Sequence, residues 1–209
     1  MSFGGLAQLA RALAWHARGH RFDSDILHPN FQFMLSTIFT IVGSVFALIL
    51  LLALIMPKKS TIIADIDIEL GKDQVFEYVK HMTNQKYFNK WVMADPNSEM
   101  VYTGEDAKVG FKVYWNSKNN NVGEGEQEII EIVEGEKMKV EIRFVRPMQG
   151  TSYSTTTTTM KSENLTNVNL TFESTSKMPF NVMSALFVPI LRKDMNQTLS
   201  NLKALLEKK

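Results

Sequence analysis

The chain has 209 residues, is 44% hydrophobic, and carries 23 basic against 22 acidic side chains and no cysteine. Three of the basic and two of the acidic residues (Arg11, Arg18, Arg21, Asp23, Asp25) fall within the first 33, so the remainder is balanced in charge. A balanced chain lacks the basic surplus of a nucleic-acid binder, and the missing cysteines exclude disulfides, thiolate metal sites and a cysteine nucleophile.

Residues 1–33 read as a non-native or disordered N-terminal extension. The stretch from Gly5 to His28 resembles the conceptual translation of a bacterial tRNA gene. Ala7-Gln8-Leu9-Ala10-Arg11-Ala12 can be encoded by a D-arm and Arg21-Phe22-Asp23-Ser24 by a T-arm, in one frame and at tRNA-like separation. The competing reading is a basic amphipathic helix on a membrane surface, because Leu6, Leu9, Ala10 and Leu13 recur at helical spacing. On the tRNA reading Met34 is the start, and His16, His20 and His28 form no metal site.

Residues 34–56 are expected to form a transmembrane helix. Leu35 to Met56 contains no charge, and Pro57-Lys58-Lys59 closes the run. Its length as a helix is about 33 Å, enough for a hydrocarbon core of roughly 30 Å. A signal peptide would have a shorter apolar core and a small-x-small cleavage site, and a buried core helix would keep a polar face. Lys58 and Lys59 favour a cytoplasmic location for the C-terminal domain, on a single-pass protein of the bacterial inner membrane.

Residues 60–207 read as one soluble domain. Ile62, Ala64, Ile66 and Ile68 alternate with Asp65 and Asp67, the pattern of a half-buried strand. Val75, Phe76, Val79 and Met82 share a helical face, and a short helix or turn over 84–91 delivers Phe88 and Trp91. Strands are expected at 99–103, 111–115, 122–133, 138–145 and 150–161, with a last one marked by Val168, Leu170 and Phe172. Glycine- and asparagine-bearing turns separate them. Residues 179–207 close the chain as a helical segment with Val182, Leu186, Leu191, Met195, Leu199, Leu202 and Leu206 on its apolar side, and Pro189 interrupts it or starts its main helix. The expected fold is α+β: a curved antiparallel sheet of about seven strands around a long C-terminal helix, the only element large enough to cover its apolar face. The space between the two is the expected ligand cavity.

Trp91, Asp95-Pro96, Gly104, Gly110, Trp115 and Gly123-x-Gly125, followed by Ile129 and Ile130, carry a resemblance to a known family. Together with the element order they resemble the SRPBCC (START/Bet v 1-like) superfamily and its membrane-anchored polyketide cyclase/dehydrase-like branch. Members of that branch often begin with one apolar helix ending near Pro-Lys. Leu202-Lys203 and Glu207 are similar to the branch's C-terminal pattern, whereas Lys193 or Asp194 stands where a glycine is expected. The resemblance implies the helix-grip fold and a hydrophobic small molecule or lipid as partner.

Trp91, Phe111, Trp115, Val140, Ile142 and Phe172 are the candidate ligand-binding residues, core filler being the alternative for each tryptophan. Trp115 shares parity with Phe111 and Val113, so it faces the sheet's inner side. Asp95, Glu126 and Glu128 are the catalytic candidates. Asp95 either starts a turn before Pro96 or is a carboxylate at the pocket mouth. Glu126 and Glu128 share parity with Ile130 and Ile132 and point inward unless a bulge intervenes, where a carboxylate pair could do acid–base chemistry. His81 reads as a surface residue at a helix end. Gly123-x-Gly125 precedes no helix, so it reads as a turn or bulge and not as a phosphate loop. The Thr155–Thr159 run is a strand former, one face of which could offer hydroxyls to the cavity. No cofactor or metal is expected. The function expected is a membrane-anchored domain binding a small molecule or lipid, the alternatives being a cyclase/dehydratase-like enzyme and a non-catalytic sensing domain.

Overall fold

The computed structural model describes residues 29–208, so the tRNA-like stretch lies outside the described residues. The elements are α1 (Pro29–Ile55), β1 (Lys59–Ile68), α2 (Lys72–Lys80), a 3-10 turn (Met82–Tyr87), α3 (Lys90–Met93), β2 (Glu99–Thr103), β3 (Lys112–Asn116), β4 (Glu124–Val133), β5 (Lys137–Arg146), β6 (Gly150–Ser162), β7 (Leu165–Thr175) and α4 (Asn181–Leu206). The chain divides between Leu48 and Ile49 into two compact units, and α1 runs through the boundary.

α1 is 27 residues long, about 40 Å, and has no charged residue. Among the described residues it is the one helix long and apolar enough to cross a membrane. It begins at Pro29, five residues before Met34. Its last turn belongs to the second unit, where Ala53 is buried. There the side-chain amide of Asn181 donates to the carbonyls of Ala53 and Met56, at 2.8 and 2.9 Å. Carbonyls at a helix end have no intrahelical donor, and Asn181 supplies one.

The seven strands form one antiparallel sheet in the order β1-β7-β6-β5-β4-β3-β2. Alternation decides which side chains face inward. In β1, Ile62, Ala64 and Ile68 are buried, and they pair in register with Phe172, Leu170 and Thr166 of β7. α2 buries Val75, Phe76 and Val79, with Asp73 in its first turn and Lys80 in its last, the order that suits the helix dipole. Asn89 caps α3 by accepting from the Trp91 amide at 3.0 Å.

Two clusters make the core. The first joins β1, β7, α2 and α4 through residues such as Ile62, Val75, Val168, Met195 and Leu199. The second is built by Met82, Phe111, Val113, Ile129, Met138 and Val140 on the far limb of the sheet. α4 therefore rests on the β1–β7 edge, and the strands between the clusters curve past it without being filled from its side.

Two expectations change. α4 continues through Pro189, which withholds only the amide that would bond to Ala185. Leu186, expected on the apolar side of α4 with Leu191 and Met195, is 65% exposed.

Candidate functional site

A cavity of about 310 Å³ takes its wall from both core clusters. α4 supplies Leu191, Met195, Thr198, Leu199 and Leu202. The segment from α2 to α3 adds Val79, Gln85, Phe88, Asn89 and Trp91. From the sheet come Trp115, Gln127, Val140, Ile142, Leu170 and Phe172, and from the centre of β6 come Ser154 and Thr156. The last two explain the space. Ser154 stands between Val140 of β5 and Phe172 of β7, and Thr156 between Met138 and Leu170. Small side chains on the inner face of a central strand leave a void where leucine or isoleucine would fill it.

The polar groups on this wall are uncharged. Gln127 donates to Gln85 at 3.0 Å, and Thr198 accepts the Lys90 amide at 3.2 Å. Ser98 also lines the cavity; its buried hydroxyl oxygen has no partner at full hydrogen-bond geometry, though it stands near enough to Asp95 to help hold that carboxyl low. An unpaired buried hydroxyl is costly, so a ligand's donor or acceptor reaching Ser98 would be favoured there.

Trp115 is set by its neighbours. Its indole N–H donates to the Val122 carbonyl at 3.2 Å, and its ring meets Phe144 edge-on at 6.0 Å. Across the ladder it faces Gly125, where a Cβ would come within 2.5 Å of the ring. Gly125 is thus a close-approach glycine that makes room for the indole on the cavity wall.

The structure places Trp91, Trp115, Val140, Ile142 and Phe172 on the wall. Phe111 lies elsewhere: it is in the second core cluster, stacked on Tyr102 at 6.3 Å, because its backbone pairs with Ile129 just ahead of β3. Gln85, Ser98, Gln127, Ser154 and Thr198 are wall residues that sequence reasoning did not select, whereas Thr156 belongs to the threonine run of which one face was open to the cavity, without the face being fixed. The only signal for Gln127 was its place between Gly125 and Ile129 at alternate positions of one strand.

None of the three carboxylate candidates is on the wall. Glu126 and Glu128 face outward: the bulge that would cancel their inward parity is present, between Ile129 and Glu131. Gly125, Gln127 and Ile129 take the inner face in their place. Outside, Arg143 binds Glu126, Glu128 (2.6 Å) and Glu141, with Lys112 beside them. The Arg143 guanidinium, and behind it the charge of Lys112, holds the Glu128 carboxyl below its ordinary 4.5. Asp95 accepts from the Ser117 hydroxyl and from the Asn97 amide (3.1 Å), closing a turn, and the Ser117 bond lowers its carboxyl too. A lowered carboxyl stays ionised at neutral pH, the reverse of what a general acid needs. His81 sits at the end of α2 between Glu77 and Asp106, at 3.3 Å from each.

The outer cluster has a pH signature. Because the folded-state pKa of Glu128 is depressed, its contribution to stability is complete above the unfolded value and is lost as pH falls through the folded one. Arg143→Leu is expected to flatten the fall in unfolding free energy between about pH 5 and pH 3, by less than about 1 kcal/mol on this partly wetted face. Urea unfolding across that range is the check; an unchanged acid limb would assign it to other carboxylates.

The profile of the polyketide cyclase/dehydrase and lipid transport family matches residues 61–207, which is the whole sheet with its covering helices. The chain belongs to this family. No curated protein matches the sequence. Solved structures with the same fold include protein CV1439 from Chromobacterium violaceum (17% identity, TM-score 0.53, 71% of this chain and 98% of that one). Norcoclaurine synthase from Thalictrum flavum, solved with dopamine and hydroxybenzaldehyde, is similar at 13% identity and TM-score 0.54 over 72% of this chain and 88% of that one. Protein MLL2253 from Mesorhizobium loti matches at 12% identity and TM-score 0.52 over 71% and 97%. At these identities the likeness shows a shared helix-grip, Bet v 1-like fold.

Proposed function

We propose that this family member is a membrane-tethered binding module for a hydrophobic or amphipathic small molecule, with lipids as the favoured class. The observation that carries the reading is the chemistry of the cavity wall: apolar and aromatic side chains with a few uncharged hydrogen-bonding groups, and among the described residues no Asp, Glu, His, Lys or Arg. Pockets of about 300–1,000 Å³ with that lining hold small molecules by apolar burial and orient them with a few polar contacts. Turnover of the cyclase or dehydratase kind would need a titratable group within hydrogen-bond reach of the substrate. α1 supports the tether, and Lys58 and Lys59 just after it favour a single-pass protein of the bacterial inner membrane with its domain in the cytoplasm.

The test is native mass spectrometry of the full chain extracted with its membrane, followed by identification of the released molecules. One apolar species per chain, retained through detergent exchange, is the expected result. A cavity that is empty after extraction and does not fill on incubation with total membrane lipid would overturn the reading.

A further inference from the structure

We propose that the first half of α4 lies in the membrane–water interface, with its outward apolar face against the lipid acyl chains. The inference rests on the proposed tether and adds a second contact between the domain and the bilayer. The outward face of α4 changes character along its length. Phe180, Met183, Leu186, Phe187 and Ile190 are exposed at its start, Leu186 at 65%, Phe180 at 56% and Ile190 at 54%. From Arg192 onward the exposed positions of the helix are Arg192, Lys193, Asn196, Gln197, Ser200 and the small Ala204. The opposite side stays apolar across this change: Val188, Leu191, Met195, Leu199 and Leu202 pack on the sheet edge or line the cavity. A helix in water throughout has no need of two apolar sides in one half only; large contiguous apolar patches mark a contact surface.

The position of the patch identifies what covers it. Asn181, the first residue of α4, donates to the carbonyls of Ala53 and Met56, so α4 starts where the uncharged helix ends. Residues 181 to 190 rise about 14 Å along the helix, so the whole patch fits an interface about 5–10 Å deep when the helix lies close to the membrane plane. Basic residues bracket the patch: Lys58 and Lys59 after α1, Lys177 before α4, and Arg192 with Lys193 within one turn of Ile190. An apolar helical stretch flanked by basic side chains at both ends suits a helix lying along an anionic interface, its apolar face toward the acyl chains and its charges among the headgroups. An antiparallel pairing with a second copy would instead set Lys177 against Arg192 and Lys193, a like-charge contact.

The absence of cysteine makes the test direct. Single cysteines at Leu186→Cys and Ile190→Cys, with Gln197→Cys as the water-facing control and Leu48→Cys as the reporter of α1, are labelled with a nitrobenzoxadiazole fluorophore. The full chain is then reconstituted in phosphatidylethanolamine/phosphatidylglycerol vesicles with and without shallow and deep doxyl lipids. Labels at 186 and 190 are expected to be quenched about twofold or more by the shallow quencher, with blue-shifted emission, and the label at 197 to be unaffected. Quenching at 48 with water-like emission at 186 and 190 would overturn the interfacial contact and leave the tether standing. No quenching at 48 would overturn the tether and the inference together. Blue-shifted labels at 186 and 190 that no doxyl lipid quenches would assign the face to a protein contact and overturn the inference.

Discussion

Ser154→Phe is expected to lower ligand occupancy roughly tenfold or more, a loss of about 1.4 kcal/mol, while leaving the fold intact. Ser154 lies at the centre of β6 with Val140 and Phe172 as its ladder neighbours, all three on the cavity wall. A phenyl ring there projects into a space of about 310 Å³ and competes with any ligand for it. In a filled core such an insertion costs about 1–3 kcal/mol through displaced rotamers. In an open cavity the ring finds room, and its own burial contributes about 1.5–3 kcal/mol. Thr155→Phe is the control, because successive strand residues face opposite sides and Thr155 points away from the cavity. The readouts are 1-anilinonaphthalene-8-sulfonate binding, co-extracted ligand by native mass spectrometry, and the thermal midpoint. Occupancy equal in both variants would mean that the ligand does not occupy this space. A Ser154→Phe protein destabilised by more than about 3 kcal/mol would mean that the space is not free.

The strands were legible because their hydrophobic alternation is sustained: Ile62/Ala64/Ile66/Ile68, despite the outward Ile63, and Met138/Val140/Ile142/Phe144 each fix one inner face. Their order in the sheet follows from short turns between antiparallel neighbours, apart from β1, which joins β7 at the edge. The site was harder to read for two physical reasons. Parity carries facing along a strand only while the ladder is regular, and the bulge at Ile129/Glu131 breaks it, so the facing of Glu126 and Glu128 was open in the sequence and is outward in the structure. A cavity is also defined by what fails to fill it. Ser154 and Thr156 carry no sequence signal as wall residues within a run of hydroxyl side chains, since both faces of that strand look alike. The surplus of apolar residues in α4 was visible, but a helical wheel alone assigns them to one face. Only the packing of Met195 and Leu199 on the sheet edge separates them from Leu186 and Ile190.

Gly125→Ala is expected to destabilise the domain by about 1–3 kcal/mol and to reduce binding at the same time. For a domain of this size that is a fall in thermal midpoint of roughly 3–10 °C. A Cβ at 125 would stand 2.5 Å from two ring carbons of Trp115 and 2.6 Å from the Arg143 carbonyl oxygen. Neither neighbour yields easily. The ring is pinned by its bond to the Val122 carbonyl and by Phe144, and the carbonyl is part of the β4–β5 ladder. The indole's free direction is toward the cavity, so relief of the clash shrinks the ligand space, and the stability and binding defects share one cause. A double-mutant cycle with Trp115→Ala separates the two contacts. If the ring dominates, Gly125→Ala costs less than about half as much in the Trp115→Ala background as in the parent. A full cost in both backgrounds would place the strain on the Arg143 carbonyl, and it would remove the link between this glycine and the shape of the cavity.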